Sequence, residues 1–156
     1  MIEQEVVKLL AQVVHEAEHC GAGPLCTAAV FPGVEVPWDY AGDCGSTCGF
    51  AYVRLMTSFP YDVFPQPAFA ASCINPPAHQ LAVGIIRCLP VMEDDGDPPS
   101  PDDISANALD RFKDQRAIRS AIIKVQPRGS MLGAWQPLGP LGGNVGGEWN
   151  VYVPED

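Results

Sequence analysis

The sequence predicts an α+β fold, a small mixed or antiparallel sheet with two main helices packed on one face and long ordered loops. Three observations predict it. Residues 2–18 carry an apolar stripe at helical spacing. Residues 50–59 and 81–89 are apolar runs of strand length. Residues 100–103 open a second helix, which leads into an alternating segment at 147–153. The order helix, strands, helix, strands sets helices on one side of a sheet. At 156 residues the chain reads as a single domain over 1–156, long enough to bury about two thirds of its unfolded surface.

The first helix is the clearest element. Ile2, Val6, Leu9, Leu10, Val13, Val14 and Ala17 fall on one arc, and Lys8, Gln12, His15, Glu16 and His19 fall opposite. Gly21, Gly23 and Pro24 stop it. Residues 25–49 are broken by Pro32, Gly33, Pro37, Gly42, Gly45 and Gly49, with residues 34–36 as a short candidate strand and 43–49 (DCGSTCG) as a tight turn. Residues 50–59 (FAYVRLMTSF) are aromatic and β-branched on both faces, which suits a central strand ending at Pro60. Arg54 is the exception there and must find a partner or reach water.

Residues 60–79 hold five prolines with Phe64 and Phe69, and read as an extended loop with apolar anchors. A second buried strand at 81–89 (LAVGIIRCL) ends at Pro90. Residues 93–103 carry six acids and three prolines and read as a solvated loop, since the twelve-residue calcium-loop pattern is absent. Ser100 then caps a helix over 102–125, with Pro101 in its first turn, acids early and bases late. Its apolar face is rotated: Ile104, Ala108 and Phe112 mark one face early, and Ile118, Ala121, Ile122 and Val125 another later. Arg111, Gln115 and Arg119 run between them. Either the helix bends, or one end packs on the core and the other on a neighbour. A strand at 134–138, a glycine-rich connection at 139–147 and a half-buried strand at 147–153 complete the chain. In that last strand Trp149, Val151 and Val153 face one side, and Glu148, Asn150 and Tyr152 the other.

Composition excludes some function classes. Nineteen acids against nine bases give a charge of −10, the wrong sign for gripping nucleic acid. No apolar run approaches the roughly 20 residues of a membrane span. The first helix carries Glu3, Glu5, Lys8 and Glu16, unlike a signal peptide. The chain therefore reads as made in a reducing cytoplasm, with no membrane partner.

Six cysteines, at 20, 26, 44, 48, 73 and 88, leave two readings. His15 and His19, one helical turn apart, with Cys20 and Cys26 nearby, and the pair Cys44 and Cys48, are candidates for a small zinc or redox module. The other reading has thiols acting as small apolar groups and solvated histidines. No catalytic constellation is visible. The glycine-rich stretch lacks the lysine and hydroxyl residue of a phosphate loop, residues 45–49 (GSTCG) lack nucleophile-elbow spacing, and nothing pairs His15, His19 or His79 with a thiol. The expectation is a protein that is not an enzyme and needs no cofactor.

Three segments carry a resemblance. The first is residues 48–55 (CGFAYVRL) with Phe59-Pro60. The second is residues 81–90 (LAVGIIRCLP), followed by the proline- and acid-rich stretch and the helix. The third is residues 135–140 (WQPLGP) with 142–149 (GGNVGGEW). In order and spacing, over about residues 45–153, the chain resembles the neck proteins of long-tailed phages that infect actinobacteria, and most of all the tail terminators. That resemblance implies a structural virion protein, made in the host cytoplasm. It would form a homohexameric ring at the head-proximal end of the tail tube, stopping tube growth and joining tail to head. Implied partners are further copies of the chain, the tail tube protein and a head-completion or stopper protein, with genome DNA passing through the channel without specific binding. A hexamer would carry −60, which suits such passage. The expected subunit contacts are Arg111, Gln115 and Arg119. The head-closure or stopper ring is the alternative position, and the zinc or redox module the alternative class.

Overall fold

A computed structural model describes residues 1–40, 49–68, 73–90 and 95–155. The turn expected before Gly49, with Cys44 and Cys48, lies outside these residues, as do Phe69, Glu93 and Asp94. Helix α1 is Ile2–Cys20 and helix α2 is Pro101–Val125. Strands β1 (Leu25–Phe31), β2 (Gly49–Val63), β3 (Gln66–Pro67), β4 (Pro77–Cys88), β5 (Met131–Leu141) and β6 (Asn144–Pro154) form a mixed sheet in the order β1-β2-β4-β6-β5, with β3 attached to β2. Among the described residues only the β1–β2 pairing is parallel. The fold is α+β, with both helices on one face. Among the described residues no helix is long and apolar enough to cross a membrane.

The apolar stripe of α1 does what its spacing dictates. Leu9, Val13 and Ala17 are fully buried against Ala51, Val53, Leu81, Val83 and Val151 of the sheet, together with Ile118, Ala121 and Ile122 of α2. The two helices run antiparallel. Glu16 of α1 accepts from Lys124 Nζ at 2.6 Å, and the amide of Ala22, just past α1, donates to Asp114 of α2 at 3.0 Å. Ser100 Oγ accepts from the Asp103 amide at 3.1 Å and caps α2. Of the two apolar faces expected on α2, only the later one enters the core. Ile104 and Phe112 stay 40% and 54% exposed.

Several sequence expectations are corrected. Residues 34–36 are not a strand: Gly33 turns the chain at φ 91°, Pro37 follows, and the strand is Leu25–Phe31 instead. The 60–79 stretch is less of a loop than its prolines suggest. β2 runs on to Val63 and β4 begins at Pro77, with Pro60 opposite Pro77 near the end of the ladder and the Pro60 carbonyl accepting from the Ala68 amide at 2.9 Å. The glycine-rich stretch is mostly strand. Leu141 faces Asn144 across a two-residue turn in which Gly142 and Gly143 take φ 59° and 78°, left-handed values that suit glycine in tight hairpins.

The sheet face away from the helices is also covered. Phe50, Tyr52 and Ile86 are buried there beneath Ala29, Val36 and Trp38. Residues 32–40 thus lie over the sheet, with a short 3-10 turn at Trp38–Tyr40. This explains why β6 departs from the half-buried pattern. Trp149, Val151 and Val153 do pack toward the helices, but Glu148 on the opposite face is 1% exposed.

Candidate functional site

Two charged networks occupy the interior. On the sheet face under residues 32–40, Arg54 of β2 reaches across β4 to Glu148 of β6. Its Nη2 lies 2.7 Å from Oε1 and its Nε donates to Oε2 at 3.2 Å. The Tyr52 hydroxyl donates to the same Oε2 at 2.7 Å. Burial, then the adjacent carboxylate, pushes the Tyr52 phenol well above its ordinary value. Small residues make the crossing possible: Ala82 and Gly84 of β4 stand between the partners in register. The Arg54 Nη1 atom is buried without a hydrogen-bond partner, so the network holds one more donor than it uses.

The second network ties the α1–β1 connection to the rest. Arg87 of β4 donates from Nε to Asp114 Oδ2 at 2.7 Å and from Nη2 to Oδ1 at 3.0 Å. It also donates to the carbonyls of Pro24 and Gly23, both at 3.0 Å. Arg111, one turn before Asp114 on α2, brings Nη1 to 3.5 Å from the same carboxylate. Burial pushes the Arg111 guanidinium below its ordinary value, and the Asp114 charge partly opposes that shift.

The three expected contact residues therefore have different surroundings. Arg111 is turned inward, its side chain 13% exposed, with Nε and Nη1 unbonded. Gln115 is half-buried, and its carbonyl accepts from Trp149 Nε1 at 2.9 Å. Arg119 is exposed. The polar residues that sequence reasoning missed are Asp114, Arg87 and Glu148. The signal for Arg87 was charge inside an apolar strand, as at Arg54; Asp114, on a helix rich in charge, carried none.

The thiols divide. Cys20 and Cys73 are free and exposed, whereas Cys26 of β1 and Cys88 of β4 each take part in a disulfide. The expectation of reduced thiols acting as small apolar groups is corrected for these last two. His15 and His19 stack with ring centroids 4.3 Å apart, and His19 Nδ1 bonds the His15 carbonyl at 2.7 Å. Among the described residues, no group of three or more His, Cys, Asp or Glu side chains converges on a metal site.

Two outward surfaces on the helix layer stand out among the described residues. On α2, Leu109, Phe112 and Ile123 are at least half exposed, on the side opposite Asp114, Ala117, Ile118 and Ala121. Arg116 and Arg119 stand among them, exposed and without an ion pair among the described residues. On the other flank of the helix layer, a groove of about 440 Å³ opens between the start of α1, the end of β1, the middle of β2 and the first half of β4. Val7, Val30, Leu55 and Leu81 line it, with Glu3 at its rim. Compared with known proteins, the chain matches no protein-family model and no curated protein.

Proposed function

We propose that this chain is a structural subunit of a phage neck ring, acting as the tail terminator that caps the tail tube and receives the head. The observation that carries the reading is the outer face of α2. Leu109, Phe112 and Ile123 sit on the side of the helix that the fold does not use, and an exposed apolar stripe of this kind suits a face that another protein covers. The segments that carry the resemblance lend further support. They fall in β2, β4, β5 and β6, neighbours in one continuous sheet, so the resemblance concerns a single structural unit. The buried charges are spent on ties between elements rather than gathered in a cleft, which suits a scaffold. In this reading the partners are further copies of the chain, the tail tube protein and a head-completion protein, and DNA passes through an acidic channel.

Cryo-electron microscopy of virions containing this protein tests the reading. A sixfold ring between the last tube layer and the head adaptor is the expected result. Density one layer nearer the head would make the chain a stopper ring, and absence from the virion would defeat both positions.

A further inference from the structure

We infer that the two outward surfaces are mates: the exposed stripe of α2 on one copy docks into the groove beside α1 on the next copy. The inference rests on the ring reading for closure and names the contact that builds it. The stripe projects Leu109, Phe112 and Ile123, with Arg116 and Arg119 between. The groove offers that stripe an apolar surface, with Val7 and Leu55 partly open to water and Glu3, exposed and without an ion pair among the described residues, in its lining.

Charge favours a second copy as the occupant. Of the nine bases on this −10 chain, Arg54, Arg87 and Arg111 are turned into the interior networks, Lys113 and Lys124 pair with Asp110 and Glu16, and Lys8 is exposed on α1 next to Glu3 and Val7. Arg116 and Arg119 thus give the stripe an exposed positive face on an acidic molecule, and a face of that sign seeks a surface like the rest of this same chain. The topology adds a geometric reason. Helix α1 lies toward β1 and β2, and α2 toward β4 and β6, so stripe and groove occupy opposite flanks of one layer. A contact between two different patches of identical chains is head-to-tail, and repetition gives either a closed ring or an open filament.

The test uses the full chain and two one-sided variants, each with circular dichroism to establish folding. R116S/R119S alters only the stripe, and E3K/V7K only the groove. All four positions are solvent-exposed, so folding is expected to survive. Sedimentation velocity of the wild type should show oligomers that grow with concentration, and each variant alone should associate about tenfold or more weakly. An equimolar mixture of the two variants should restore association but stop at heterodimers, because each variant keeps one intact surface. A wild-type chain that stays monomeric at all concentrations overturns the contact. So do variants that oligomerise like wild type, or a mixture that forms no dimers. The virion experiment fails separately: self-association with absence from virions would leave the contact standing and remove the neck reading. A monomer in solution that lies in a neck ring would do the reverse.

Discussion

Arg54 and Glu148, 94 residues apart in the chain, close a buried ion pair of 2.7 Å across an intervening strand. Neither side chain is more than 4% exposed, so each charge depends on the other for its solvation.

Removing one partner should therefore be costly. Glu148→Ala strands the Arg54 guanidinium and leaves the Tyr52 hydroxyl unpaired, and should destabilise by about 3–5 kcal/mol. Urea denaturation measures the loss. The double variant R54M/E148L should lose less than Glu148→Ala alone, because no buried charge is left unmatched. A double variant at least as unstable as the single would show that the pair is not what holds this face.

Gly84 should resist substitution although its backbone is ordinary strand. A Cβ there would meet the Tyr52 hydroxyl at 2.5 Å, the ring carbon Cζ that bears it at 2.6 Å and the Gly147 carbonyl oxygen at 2.9 Å. Gly84→Ala should cost about 1–3 kcal/mol through overpacking. Pairing it with Tyr52→Phe, which removes the crowded oxygen, should recover part of the loss. Equal losses with and without that oxygen would place the strain on the Tyr52 ring edge and the Gly147 carbonyl instead.

The Glu16–Lys124 pair gives a pH dependence of definite sign. Hydrogen bonding from Lys124, the largest cause, holds the Glu16 carboxyl below its ordinary value of 4.5. A carboxyl with a depressed folded pKa contributes stability above its unfolded value and loses it as pH falls through the lower folded one. Lys124→Met should cost up to about 1 kcal/mol at pH 7. The gap to wild type should close as pH falls below 4.5. Denaturation curves at several pH values check this, and a gap that persists in acid would exclude the electrostatic cause.

One helix should show two classes of apolar residue. Ile118 is fully buried and Phe112 is 54% exposed. Ile118→Ala should cost about 2–5 kcal/mol, while Phe112→Ser should change monomer stability by no more than about 0.5 kcal/mol. Thermal melts at low concentration separate the two. A large loss at Phe112 under those conditions would mean that the stripe serves the fold and not a partner.

The sequence by itself determined the elements whose pattern is local. The stripe of α1, the cap at Ser100, the apolar core of β2 and the alternation of Trp149, Val151 and Val153 follow from side chains a few residues apart, and the spacing alone is enough to state them. It also posed a question at Arg54, a charge in an apolar strand, without answering it. The tertiary structure decided everything that depends on distant neighbours. Glu148 becomes buried because residues 32–40 cover its face. Arg111 turns inward because Asp114 and Arg87 meet beside it. Residues 25–31 become a strand because β2 lies alongside. Of the three residues expected at a subunit contact, Arg119 alone is exposed, and Leu109, Arg116 and Ile123 join it on the outer face. The rotated apolar face was legible, with a neighbour as one of two explanations, but its exposed members were not, because an apolar residue on a helix carries no mark of whether its own fold or another molecule will cover it. Only the placement of α2 on the sheet, which commits one side of the helix to the core, shows which residues are left over.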